Sequence, residues 1–182
     1  MNKALILGCL VIAVSTATIV MLPAQEQQSA KQQPEKSNPD QAAVERARDT
    51  VRLLDNVYKQ TIVLVTEKYV HDEDDFPAGS AAVELFKRIG KSGTHEVRLI
   101  DATGDPYEPA NVARNEFEKA GLKALKSGKD FHNEVVTEDG VAYLQAVTPV
   151  PVVMKKCVMC HSHYADVPEG QPIGAISYKV PI

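Results

Sequence analysis

Three side chains within five residues set the chemical question: Cys157, Cys160 and His161, in the run "VVMKKCVMCHSHYADV" from Val152 to Val167. The chain holds one other cysteine, Cys9. Thiolates and imidazoles are the groups that hold soft metals, exchange disulfides, or anchor a cofactor. A C-x-x-C redox pair of the thioredoxin kind follows an early strand and opens a helix, whereas this pair ends 22 residues before the C-terminus. A structural zinc site could take Cys157, Cys160 and His163, but its fourth donor would have to be a distant His71, His95 or His132. C-x-x-C-H is also the signature of covalent haem attachment. Two thiols three positions apart can each add to one vinyl group along a porphyrin edge, and the adjoining imidazole then lies under the iron. That chemistry employs every member of the motif, with one haem c on thioethers from Cys157 and Cys160 and with His161 as the proximal iron ligand.

The opposite side of the iron is open in the sequence. His163 stands two residues beyond His161, within about 7 Å of chain, too near to reach around the macrocycle. His71, His95 and Met154 are the candidates for a distal ligand, with Tyr58, Lys59 and Tyr69 of the preceding helix as further donors. Each also has an ordinary structural use, as a surface or core residue. Arg98 could pair with a haem propionate or remain a solvated strand charge. No acid/base pair can be placed over the iron, so no enzymatic activity is expected.

The elements around this motif must position it outside the cytoplasm, where an exposed thiol pair is handled by oxidative maturation. Residues Ala4 to Leu22 form an uncharged run behind Lys3, closed by Pro23. Nineteen helical residues span roughly 28 Å, near the thickness of a bilayer core. Residues 1–24 therefore read as a signal anchor, or as a signal peptide, although Leu at position −3 from a cut after Ala24 suits cleavage poorly. Cys9 is a small apolar residue within that run. Residues 25–38 are Gln-rich and nearly free of apolar side chains, a flexible polar linker. The rest, 39–182, is then extracytoplasmic. The net charge of −4 and pI near 5.7 supply no basic field for nucleic acid. The expected partners are the membrane, through the N-terminal segment, and a redox or signalling protein in the periplasm.

Within 39–182 the pattern predicts a long helix from an Asn38 cap to about Tyr69. Val44, Ala47, Val51, Leu54, Tyr58, Thr61 and Val65 alternate spacings of three and four, which makes either a core-facing stripe or a homodimer seam. The acid cluster of "HDEDDFPAGS" reads as a solvated turn. A short helix from Ser80 to Ile89 stops at Gly90, "THEVRLID" is a strand, and Asn111 to Lys126 is a helix with Phe117, Ala120, Ala124 and Leu125 inward. "FHNEVV" and "VAYLQAV" flank a Glu-Asp-Gly turn as a hairpin, and Ile173 to Val180 alternates as a closing strand. The order predicts an α+β domain, an antiparallel sheet with its helices on one side. The C-x-x-C-H motif falls on the long connection between the last two strands.

"TPVPVVMKKCVMCHSHY" with "GQPIGAISYKVPI", and the Arg-bearing "EVRLIDATGDPYEPANVARNEFEKAGLKAL" before them, resemble the extracytoplasmic PAS-like c-type haem domains over roughly Thr94 to Ile182. The resemblance implies a PAS-like fold with flanking helices, haem at Cys157 and Cys160, His161 as proximal ligand, and redox or diatomic-gas sensing. The alternative function it leaves is that of a periplasmic monohaem electron carrier. A characterised type in that group has a cysteine thiolate as second axial ligand. This domain has no third cysteine, so its distal ligand differs or is absent.

Overall fold

The computed structural model describes residues 39–72, 75–159 and 161–182. The apolar run with Cys9, the polar segment with Asn38, Glu73, Asp74 and Cys160 lie outside the described residues. Among the described residues no helix is long and apolar enough to cross a membrane.

With neither Gly nor Pro in its length, α1 runs Gln41–Tyr69, capped by Asp40, whose carboxylate accepts from the Ala42 N–H at 3.4 Å. Val44, Ala47, Val51 and Tyr58 are buried, so the expected stripe is taken up by the chain's own core. Past Tyr58 the buried line moves to Ile62 and Thr66 while Thr61 is exposed. A spacing that averages 3.5 drifts by about 20° per heptad on a straight helix of 3.6 residues per turn, which accounts for the one-residue slip. The outward face leaves Leu53, Val57 and Leu64 exposed.

Helix α2, Ala78–Ser92, passes the expected stop at Gly90 and ends at Gly93, whose φ of 74° provides the left-handed cap. Strand β1 is Glu96–Asp101. A 3-10 turn at Pro109–Asn111 precedes α3, Glu116–Lys126. This helix starts five residues later than the sequence suggests, because Asn115 caps it by accepting from the Glu118 N–H at 2.8 Å. The hairpin of β2, His132–Glu138, and β3, Val141–Pro151, turns at Asp139 and Gly140, both at positive φ as a two-residue hairpin loop needs. Strand β4, Pro172–Pro181, closes the fold.

The four strands are antiparallel in the order β1-β4-β3-β2, giving an α+β domain. Helices cover both sheet faces, not one. Val97, Leu144, Ala146, Ile176, Tyr178 and Val180 meet α1 and α2, whereas Ile100, Val147 and Ala175 meet Phe117 and Leu125 of α3. The cause is β4, buried on both faces along nearly its whole length, which one helical layer cannot cover. Close contact on the α3 side requires Gly121: a Cβ there would stand 2.9 Å from Cγ2 of the fully buried Val147.

A polar pin fixes α1 on the sheet. Asp55 accepts from Thr148 Oγ1 at 2.5 Å and Tyr178 OH at 3.0 Å on Oδ1, and from Lys59 Nζ at 2.8 Å on Oδ2. Burial and the Asp55 carboxylate push the Tyr178 phenol far above its ordinary value, so it remains a donor. Removing Asp55 would leave Lys59, Thr148 and Tyr178 without their common acceptor. Asp55→Ala is expected to cost about 2–4 kcal/mol in urea unfolding, against less than about 0.5 kcal/mol for Asp49→Ala in the exposed pair with Arg52. Equal losses would mean that the pin carries no special weight.

Candidate functional site

Residues 152–171 join β3 to β4 at the end of the sheet where β1 also finishes, since Asp101 and Val150 both pair with Gly174. Antiparallel neighbours need only a short hairpin, so a connection of this length serves something else. Two 3-10 turns order it, Lys155–Val158 and Ser162–Asp166. Cys157 N–H donates to Met154 O at 3.0 Å, and Tyr164 N–H to His161 O at 2.9 Å.

Lys156 ties this loop to α1. Its ammonium donates to the carbonyls of Val70 at 2.5 Å, Glu67 at 3.0 Å and Thr66 at 3.4 Å. The last carbonyls of a helix have no intrahelical partner and carry the negative end of its dipole, so a cation there is doubly favoured. The residue next to Cys157 is thereby held at the C-terminal end of α1.

On the other side the loop meets the segment after β1. The Tyr164 ring stacks on His161 at 4.6 Å, Tyr107 stands edge-on to it at 5.5 Å, and the His163 ring lies 5.8 Å away. Burial holds His161 below the ordinary imidazole value and His163 adds to this, while Asp101 and Asp105 act in the opposite direction. The neutral imidazole that results is the form that binds a metal. Cys157 is a free, half-buried thiol. Among the described residues, one fully enclosed side-chain nitrogen or oxygen lacks a partner, His163 Nε2. Such an atom costs about 1–3 kcal/mol unless something pairs with it. The Cys157 thiol and the His161 imidazole, four residues apart in this loop, are of the donor types that a covalently held haem uses, whereas His163 stands too close along the chain to reach the opposite side of the same iron.

The other sequence candidates separate clearly. Met154 stands in the loop itself, immediately before the first 3-10 turn. His71 follows Val70, whose carbonyl takes Lys156, and its own N–H donates to Asp75 Oδ2 at 2.6 Å. His95 lies at the far end of β1, about 20 Å along a six-residue strand from Asp101. Both its ring nitrogens are occupied, Nε2 by Tyr58 OH at 2.9 Å and Nδ1 by Thr94 Oγ1 at 3.1 Å. Tyr58 and Lys59 are engaged in the core with His95 and Asp55, and His132 stacks on Phe117. Tyr69 is exposed at the end of α1. Arg98 is not a free charge: it forms a two-pronged pair with buried Glu118, at 2.7 and 2.6 Å, and donates to Ala110 O and Val112 O. It fastens the start of α3 to β1 instead of awaiting an anionic cofactor edge. Sequence reasoning missed Lys156, Tyr107 and Tyr164. Only Tyr164, three residues after His161, carried a spacing signal.

The sequence pattern of the Tll0287-like family, Tll0287, matches residues 16–181. No curated protein matches the chain.

Two outcomes follow from these contacts. Burial lowers the His95 pKa in the fold, so the unfolded chain takes up a proton first as pH falls below the ordinary value of 6.5. Stability, full above that pH, is expected to decline below it, and His95→Gln should flatten that part of the profile in melts recorded from about pH 7.5 to 5; an unchanged slope would exclude His95 as its source. Lys156→Met should speed amide exchange across residues 152–167 roughly tenfold, the equivalent of about 1.4 kcal/mol, without a matching change in β2.

Proposed function

The chain belongs to the Tll0287-like family, and on that premise we propose that it is an extracytoplasmic monohaem c protein of PAS-like build, a sensor of redox state or of a diatomic gas. The observation that carries this reading is His161, neutral and half-buried between Tyr107 and Tyr164, in the same loop as the free Cys157 thiol. When bound, the haem would supply an iron that changes oxidation state or takes up a small ligand.

The chain's own residues have defined roles in this reading. Cys157 and Cys160 hold the porphyrin edge, and His161 is the proximal ligand. Stacking by Tyr164 fixes the plane of the imidazole, and partial burial excludes the proton that would compete for its nitrogen. Met154 and His71 are the nearer distal candidates, standing in the loop and beside its attachment to α1. Residues 1–24 serve as a signal anchor or signal peptide and 25–38 as the spacer, with 39–182 as the haem domain in the periplasm. The role is binding and signalling without catalysis, and the signal passes to a partner protein through α1, whose last turn holds the loop. The outward line of Leu53, Val57 and Leu64 offers a second copy a place to pair.

A second reading, electron transfer, is favoured by one observation. Tyr107, 77% exposed, touches His161, and exposed Val152 and Val153 lead into the loop. An apolar rim of this kind suits brief docking of a redox partner.

The test is an absorption spectrum of the chain matured with haem, taken oxidised, reduced, and reduced under carbon monoxide. Haem should stay with the chain after denaturation and be lost from it in a Cys157→Ala/Cys160→Ala variant; a wild-type chain that releases its haem would sink the proposal. His161→Ala should retain covalent haem but change its spin state. A carbon monoxide shift supports sensing, and an unmoved spectrum supports the carrier.

A further inference from the structure

At the opposite end of β1 from the loop lies a cleft of about 290 Å³. Its floor is the α3 side of the sheet, where Glu96, Lys179 and Gln145 form one row of paired residues and Arg98 and Ser177 the next. The apolar contacts of α3 are made further along, at Ile100, Val147 and Ala175, so this half of the face is left open. Lys87 of α2 and Arg114, just before α3, stand at the walls.

Two features point to a ligand. Ser177 is 8% exposed, yet among the described residues its hydroxyl, which still reaches the cleft, has no hydrogen-bond partner. The half-buried Gln145 amide in the same cleft has none either. The charges are also unequal. Lys87, Arg98, Arg114 and Lys179 face Glu96, Glu118 and the Glu138 that pairs with Lys179 at 2.5 Å, four cations against three carboxylates. One positive charge is left. Arg98 and Glu118 neutralise each other, which leaves the excess on the side of Lys87 and Arg114.

We propose that this cleft binds a small organic monocarboxylate bearing a hydroxyl or carbonyl group. The carboxylate lies toward Arg114 and Lys87, and the neutral polar group pairs with Ser177 and Gln145. A single excess cation suits a monoanion better than a phosphate dianion, and the lining Glu96 opposes the second negative charge. The volume is near the lower end of the roughly 300–1,000 Å³ of ligand pockets, so the occupant is a short acid. Nothing in this site depends on haem.

The test uses the full chain, with calorimetry and melting curves in lactate, glycerate, 3-hydroxybutyrate and pyruvate. Acetate, lactamide and inorganic phosphate serve as comparators. At a hundredfold excess over its Kd a bound acid should raise the melting temperature by roughly 5–10 °C. Lactamide should give no shift and phosphate a weaker one. The exposed pair Lys87→Gln/Arg114→Gln should lose roughly tenfold or more in affinity while melting normally without ligand. Ser177→Ala should narrow the preference for the hydroxy acids over acetate. The proposal is overturned if none of the four acids binds below about 10 mM, if phosphate binds as well as they do, or if the double variant binds like the wild type.

Discussion

Strand β4 leaves little of either face to water. It pairs with β1 on one edge and β3 on the other, and it is buried above and below. A strand with that environment obliges the chain to supply apolar cover on both sides, which is why α1 and α2 lie on one face and α3 on the other. It also dictates where the loop carrying Cys157 and His161 must be. The chain leaves β3 and re-enters beside it as β4, so residues 152–171 are confined to the sheet end where β1 finishes. From there they reach both the last turn of α1 and the segment holding Tyr107.

Apolar burial determines that α1 covers the sheet; polar contacts determine where. A stripe of Val, Ala and Tyr would pack almost as well after a small slide along the sheet. Asp55 removes that freedom, because three donors from three elements converge on its carboxylate, Lys59 of α1 itself, Thr148 of β3 and Tyr178 of β4. Arg98 does the same for α3, since its guanidinium satisfies Glu118 and two carbonyls ahead of the helix. Such pairs add little net stability over a well-packed apolar replacement, but a misplaced one leaves a buried charge unpaired. The ionic contacts of this fold therefore act on register more than on stability.

Much of this was legible in the sequence, and the exceptions have physical causes. The long helix, the Glu-Asp-Gly hairpin and the succession of strands follow from periodicity and turn chemistry, which are local. Gly90 and Gly93 cannot be told apart by residue type, since the choice of cap depends on which one can take a positive φ where the chain leaves α2. The two-sided sheet was present in "PIGAISYKV", where Ile173 and Ala175 are buried on one face and Ile176 and Tyr178 on the other. Attention to one alternating set concealed the second. The grouping of Cys157, His161 and His163 was legible because residues so close along the chain stay together in any fold. The partners of Arg98, twenty residues away at Glu118, and of Lys156, almost ninety away, are products of folding. So is the engagement of His95, whose ring nitrogens are taken by Tyr58 and Thr94.

The latch at the end of α1 reads only main chain. Lys156 donates to the carbonyls of Thr66, Glu67 and Val70, and every amino acid carries that acceptor. The side chains at those three positions therefore take no part in the joint itself, whereas the lysine supplies its only donor. The joint is also indifferent to the side-chain rotamers around it and responds to one thing, the geometry of the helix end. A fraying or overwinding of that last turn would move the loop with it, and a displacement of the loop would be felt by a rod of 29 residues, about 43 Å long, as a change in how its final turn is wound.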